Sequence, residues 1–223
     1  STQLPFDFNL YNEFTFENYV ITEKNYELLS ILQTKFFPEN FYFLWGVPGS
    51  GKSHVLQASC AQHLNSAYLP LKVFSQENES VLEGLDQLDL LCIDDVHLVL
   101  AKPAWEEKLF TLFNACQENS TRLLISSVLA PLELKYALPD LQSRFSSGVT
   151  YQLHELDESG KIRALKTRAD VAGIPLKEEV LNYIYLRSER SMTKLFAVLE
   201  KLDKLSLAQK RKITIPFVKA IMQ

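Results

Sequence analysis

An α/β fold with a parallel five-stranded sheet flanked by helices, followed by a small all-helical lid, is the architecture this sequence predicts. Three observations lead there. Short apolar runs alternate with stretches of helical period, a glycine-rich turn follows the first run, and from about Asp157 onward the runs stop and only helical stripes remain.

The candidate strands are Phe41–Trp45, Ala67–Leu71, Leu88–Ile93, Arg122–Ser126 and Val149–Leu153. Between the third and fourth, Trp105, Leu109, Leu112, Phe113 and Cys116 form one apolar helix face opened by Pro103. A short helix over Leu138–Phe145 precedes the last strand. Beyond it, Ile162, Leu165 and Ala169 make one stripe, ended by Gly173 and Pro175; Val180, Leu181 and Ile184 make a second. Leu195, Phe196, Leu199, Leu202 and Leu205 make a third, and a last helix begins near Thr214-Ile215-Pro216. The predicted division is a base over residues 9–155 and a lid over 156–223, with no internal repeat and no low-complexity tract.

At 223 residues the chain accommodates one sizeable core, or a domain of about 150 residues with an appendage. Its hydrophobic content of 47% and charged content of 22% are those of a soluble globular protein. The N-terminal stretch carries Asp7, Glu13 and Glu17 without a basic leader, and no apolar run has the length of a membrane span, so the expected location is the cytoplasm. Cys60, Cys92 and Cys116 lack metal or redox spacing and read as small buried hydrophobes; the four histidines are equally dispersed. A net charge of −4 argues against broad adhesion to DNA. The one basic cluster, Lys210-Arg211-Lys212, reads as a solvated helix end that complements the dipole.

The chemistry is concentrated in Gly46-Val47-Pro48-Gly49-Ser50-Gly51-Lys52-Ser53, which fits the phosphate-loop pattern G-x-x-x-x-G-K-[ST] at every fixed position. The glycines let consecutive N–H groups turn toward phosphates, and the next helix presents its positive end to the same anion. Lys52 is predicted to reach the β and γ phosphates and the Ser53 hydroxyl to ligate Mg²⁺. The apolar run Leu88–Ile93 ends in Asp94-Asp95: the first carboxylate suits a metal-bound water, the second the attacking water, although paired aspartates also serve as plain turn residues. Asp95 is one methylene shorter than the glutamate many motor ATPases use, so slow intrinsic hydrolysis is expected. Ser126 at the end of the fourth run reads either as a contact for the γ phosphate or the attacking water, or as an ordinary turn serine. Arg144 reads either as a surface salt bridge or as a guanidinium offered to a neighbouring subunit's nucleotide, an effect worth roughly 10³–10⁵ in rate.

Together these pieces resemble an ATPase domain of the AAA+ class, in the branch of the bacterial replication initiator DnaA. Phe14-Thr15-Phe16-Glu17-Asn18-Tyr19-Val20 resembles the initiator segment that leads into the adenine pocket, Gly46–His54 its phosphate loop, Leu91–Val96 its acidic strand end, and Ser143-Arg144-Phe145 its arginine-finger motif. The resemblance implies nucleotide contacts from Tyr19, Val20, Gly46, Pro48, Gly49, Ser50, Gly51, Lys52, Ser53 and His54, metal contacts from Ser53 and Asp94, and catalytic roles for Asp95 and, in trans, Arg144. No helix-turn-helix segment follows the lid, so a complete initiator is not expected.

The chain is more similar still to the Hda family, short DnaA homologues that shut the initiator down after replication starts. Leu90–Asp94, Thr121–Ile125, Leu138–Leu141 and above all Gln209–Lys219 carry that likeness. Family members begin with a Q-L-x-L peptide that docks on the replicative sliding clamp, and Gln3, Leu4, Phe6 and Phe8 in residues 1–8 resemble it; a tail packed on its own domain explains the same letters. The family implies bound ADP and Mg²⁺ and, with the DNA-loaded clamp, stimulation of ATP hydrolysis by DnaA. DNA would be met indirectly, through the clamp, with a homo-oligomer left open. Where DnaA places a phosphate-sensing lid arginine this chain has Thr193, leaving Arg190 or Lys194 as substitutes, or no such contact. The competing readings are a self-sufficient ATPase that loads another protein onto DNA, and a small-molecule phosphotransferase.

Overall fold

A computed structural model describes residues 14–34 and 38–222. Gln3, Leu4, Phe6 and Phe8 lie outside the described residues. The base contains β1 (Phe41–Trp45), β2 (Ser66–Pro70), β3 (Leu90–Asp94), β4 (Arg122–Ser127) and β5 (Val149–Gln152), and its helices are α1 (Tyr26–Leu32), α2 (Lys52–Ala61), α3 (Leu71–Phe74), α4 (Pro103–Glu118) and α5 (Pro139–Ser146). The strands form one parallel sheet in the order β2-β3-β4-β1-β5.

The inner strands are apolar without interruption because both faces of a helix-covered parallel sheet are buried. Phe41 and Phe43 of β1, Leu91 and Ile93 of β3, and Leu123 and Ile125 of β4 enter one core layer with Trp105, Leu109 and Phe113 of α4 and Leu141 and Phe145 of α5. The intervening Tyr42, Leu44, Leu90, Cys92 and Leu124 enter the other, against Leu28, Leu29 and Leu32 of α1 and Val55, Leu56 and Cys60 of α2. The second and third strands begin one residue earlier and two residues later than the apolar runs suggest. Leu71 opens α3 instead of closing β2, and Leu88 caps a single-turn helix ahead of β3.

Two features hold α5 in place. Leu141 and Phe145, four residues apart, lie on one helix face, and the Phe145 ring packs 5.7 Å from that of Phe43 and 6.3 Å from that of Phe113. The Glu106 carboxylate, fully buried at the start of α4, accepts the backbone N–H groups of Ala101 (2.6 Å), Ala137 (3.0 Å) and Leu138 (2.6 Å), tying the entry of α5 to α4.

The lid is α6 (Glu158–Val171), α7 (Glu178–Arg187), α8 (Met192–Gln209) and α9 (Ile215–Met222), packed around its own core of Leu165, Ile184, Leu195, Leu199, Leu202 and Phe217. Asp157 caps α6 by accepting the Gly160 N–H at 2.7 Å. No described helix is long and apolar enough to cross a membrane.

Candidate functional site at the base–lid cleft

The loop between β1 and α2 turns at the C-terminal edge of the sheet, where open α/β folds place their ligands. Gly51 precedes α2 with φ 94°, and a Cβ there would stand 2.6 Å from the Tyr19 hydroxyl oxygen; one on Gly46 would stand 2.2 Å from the Leu153 carbonyl oxygen. Only glycine lets the loop lie this close to its neighbours. The Ser50 hydroxyl is buried in the loop without a protein partner, a state that costs roughly 1–3 kcal/mol unless a ligand atom completes it. Lys52 is buried, and its ammonium donates to the carbonyls of Gly46 (2.6 Å) and Val47 (3.1 Å). Burial lowers its pKa, while Asp95 and Asp94 pull the other way.

Opposite the loop, Asp94 ends β3 with only 3% exposure. One carboxylate oxygen accepts the Tyr68 hydroxyl at 2.7 Å and the other accepts the Ser126 hydroxyl, whose oxygen in turn accepts the Asp95 N–H at 3.0 Å. Ser126 is thus committed to aligning the two acids and is not part of the cleft lining. Asp95 occupies the left-handed region, φ 59°, which aspartate tolerates better than most residues. Burial and the charge of Asp94 raise its pKa, against His97, Lys52 and Lys72.

A cleft of about 790 Å³ runs from these groups to the lid. Of the residues singled out by sequence, Tyr19, Val20, Pro48, Gly49, Ser50, Gly51, Lys52, Ser53, His54, Asp94 and Asp95 line it. Gly46 sits behind the loop, its N–H bonded to the Ser127 carbonyl at 3.2 Å. His54 and the Phe14 and Tyr19 rings meet edge to face, with ring centroids 5.0 and 4.9 Å apart, and the His54 Nε2 bonds the Thr15 carbonyl at 2.8 Å. Burial lowers the His54 pKa to about 4, opposed by the Thr15 bond and assisted by Arg168.

The lid side is formed by Met192, Thr193 and Phe196 of α8 together with Arg168 of α6. Lys194 faces Glu189 at 3.9 Å and Arg190 stacks on Tyr185 at 5.5 Å; neither lines the cleft. The lid cation that does is Arg168, its guanidinium 4.9 Å from the Phe14 ring centroid and 4.0 Å from a Glu200 oxygen. Arg168, Tyr68, His97 and Lys72 carry no motif signal in the sequence and are brought to the cleft only by the tertiary fold. Arg144 lies elsewhere, exposed on α5 with its guanidinium 5.8 Å over the Phe110 ring and no ion pair among the described residues.

Residues 10–152 match the family described as the bacterial DnaA ATPase domain, and residues 157–222 match the lid domain of Hda. The chain belongs to the Hda/DnaA family. An uncharacterized protein of Haemophilus influenzae is 37% identical to it over 227 residues, 99% of this chain and 98% of that one. Domain III of Thermotoga maritima DnaA superposes with a TM-score of 0.78 at 23% identity, covering 93% of this chain and 94% of that one. AMPPCP-bound DnaA from Aquifex aeolicus gives 0.68 at 23% identity over 88% of this chain and 67% of that one. The RuvB branch-migration motor of Thermotoga maritima gives 0.68 at 19% identity over 94% and 71% of the two chains. At these identities the structural likenesses speak for the AAA+ fold of the Hda/DnaA family member, an α/β base followed by a helical lid.

Proposed function

We propose that this Hda/DnaA-family chain is a nucleotide-held adaptor. It keeps ADP in the base–lid cleft, grips the sliding clamp through Gln3, Leu4, Phe6 and Phe8, and presents Arg144 to ATP bound by DnaA, so that hydrolysis there prevents re-initiation. The orphaned Ser50 hydroxyl, the glycine turns at Gly46 and Gly51 and the buried Lys52 fit a nucleotide di- or triphosphate, and a DnaA of the same fold is AMPPCP-bound. Ser53 and Asp94 are the residues that would hold Mg²⁺; the Asp94 oxygens each accept one hydrogen bond and keep lone pairs for a metal-bound water. Bound there, Mg²⁺ supplies neutralisation of phosphate charge. Lys52 would exchange the loop carbonyls for phosphate oxygens, and Asp95 would hold the proton of a water at its carboxylate.

The observation that carries the adaptor reading is Arg144: exposed, free of ion pairs among the described residues, anchored through Phe145, and away from its own chain's cleft. An arginine so placed can stabilise developing phosphoryl charge only in another molecule's site. Clamp-loaded DNA, ATP-bound DnaA and this protein are mixed and phosphate release is followed. Arg144→Ala should leave nucleotide binding intact and reduce stimulated hydrolysis by roughly 10³-fold, to the initiator's own rate; unchanged stimulation defeats the proposal.

A further inference from the structure

Neither the cleft nor Arg144 accounts for the basic end of the lid. Residues 201–222 carry Lys201, Lys204, Lys210, Arg211, Lys212 and Lys219 against the single carboxylate of Asp203, in a chain of net charge −4. Charge is therefore segregated, with cations concentrated at one end of an otherwise acidic molecule. Three of them, with Arg187 of α7, are placed around α9 and the neighbouring Tyr183 of α7. The Arg211 guanidinium lies 5.6 Å over the Phe217 ring, Lys201 donates to the Ile221 carbonyl at 3.5 Å, and Lys219 and Arg187 of α7 each lie 5.7 Å from the Tyr183 ring. All of these cations are exposed, and none is ion-paired among the described residues.

Dipole complementation explains one cation at a helix end, worth roughly 0.3–1 kcal/mol. It does not call for Arg187, Lys201, Arg211 and Lys219, from three helices and a loop, to gather around α9 and Tyr183, where they repel one another until a polyanion covers them. We propose that this face of the lid contacts the phosphate backbone of duplex DNA. A membrane suits it less, because Phe217 and Val218 are buried in the lid core, leaving α9 without an apolar face to insert. Single-stranded nucleic acid suits it less, because base stacking needs open rings, and here Tyr183 already carries two cations and Phe217 is buried. Lysines and arginines on a folded surface reach phosphates rather than base edges, so binding is independent of sequence and sensitive to salt. The acidic remainder of the chain keeps it weak until the protein is held beside DNA, and tethering then supplies the effective concentration. This goes beyond the adaptor reading and does not require it.

The test is fluorescence anisotropy of the full chain with a labelled duplex of about 30 base pairs and arbitrary sequence, titrated from about 50 mM salt upward. Wild-type protein should bind, with log affinity falling linearly with log salt. Combining Arg187→Gln, Arg211→Gln and Lys219→Gln should weaken binding about tenfold or more and flatten the slope by about 2–3. Lys210→Gln with Lys212→Gln, in the exposed loop end, should give a graded loss, and unchanged thermal unfolding and nucleotide binding establish that both variants are folded. No binding by the wild type at the lowest salt, equal binding by both folded variants, or tighter binding to phosphatidylglycerol vesicles than to the duplex overturns the proposal.

Discussion

Among single residues, His54 makes the sharpest pH statement. Burial depresses its pKa from 6.5 to about 4, so between those values the unfolded chain binds a proton that the native one refuses. Stability is therefore full above about pH 6.5 and falls by about 2 kcal/mol as pH drops toward 4, after discounting for partial exposure. His54→Gln, which keeps an amide N–H for the Thr15 carbonyl and does not titrate, should flatten that part of the denaturation-versus-pH curve; an unaltered slope rejects the assignment. Phe110 gives a second prediction at this scale. Its ring lies under the Arg144 guanidinium, so Phe110→Leu should lower stimulation of DnaA several-fold while Phe110→Tyr retains it, at equal nucleotide affinity. Phosphate-loop residues were legible one by one because their chemistry demands fixed types at fixed spacing. Arg168, Tyr68 and His97 were not, because nothing local marks an arginine in the last turn of α6 or a tyrosine in β2 as facing this cleft. Ser126 shows the same limit from the other side: its strand-end position was readable, but its bond to Asp94 depends on the pairing of β3 with β4.

At the scale of elements, Glu106 joins three segments through one carboxylate, and its loss would remove the acceptor of the Ala101, Ala137 and Leu138 N–H groups. Glu106→Ala should cost about 3 kcal/mol in urea denaturation and, by loosening the entry of α5, lower stimulation of DnaA further than the stability loss alone accounts for. A variant that unfolds early yet stimulates normally when folded would separate α5 from this anchor. The inner strands β1, β3 and β4 were readable from sequence because burial on both faces makes each a largely apolar run. Strand ends were not, since Leu71 and Leu88 are apolar whether they extend β2 and β3 or, as here, open α3 and cap a single-turn helix. Helix α1 was not anticipated. Its seven residues, Tyr26–Leu32, are too few to establish a period, and its position is set by packing of Leu28, Leu29 and Leu32 beneath the sheet.

The whole molecule has separate hydrophobic cores in base and lid, and the cleft is the place where both contribute side chains. Bodies with separate cores unfold separately unless something bridges them. Arg168, Thr193 and Phe196 on the lid side and Lys52, Ser53 and Tyr19 on the base side make the nucleotide that bridge. Calorimetry without nucleotide should resolve two overlapping transitions. With ADP and Mg²⁺ at about 100 times the dissociation constant, stabilisation of about 2.7 kcal/mol should move both together into one cooperative transition. Arg168→Ala should restore the separation, with the base still shifted upward by the phosphate contacts and the lid returning to its unliganded midpoint. If the lid transition ignores nucleotide in the wild type as well, the lid does not register the ligand, and the nucleotide serves the base alone.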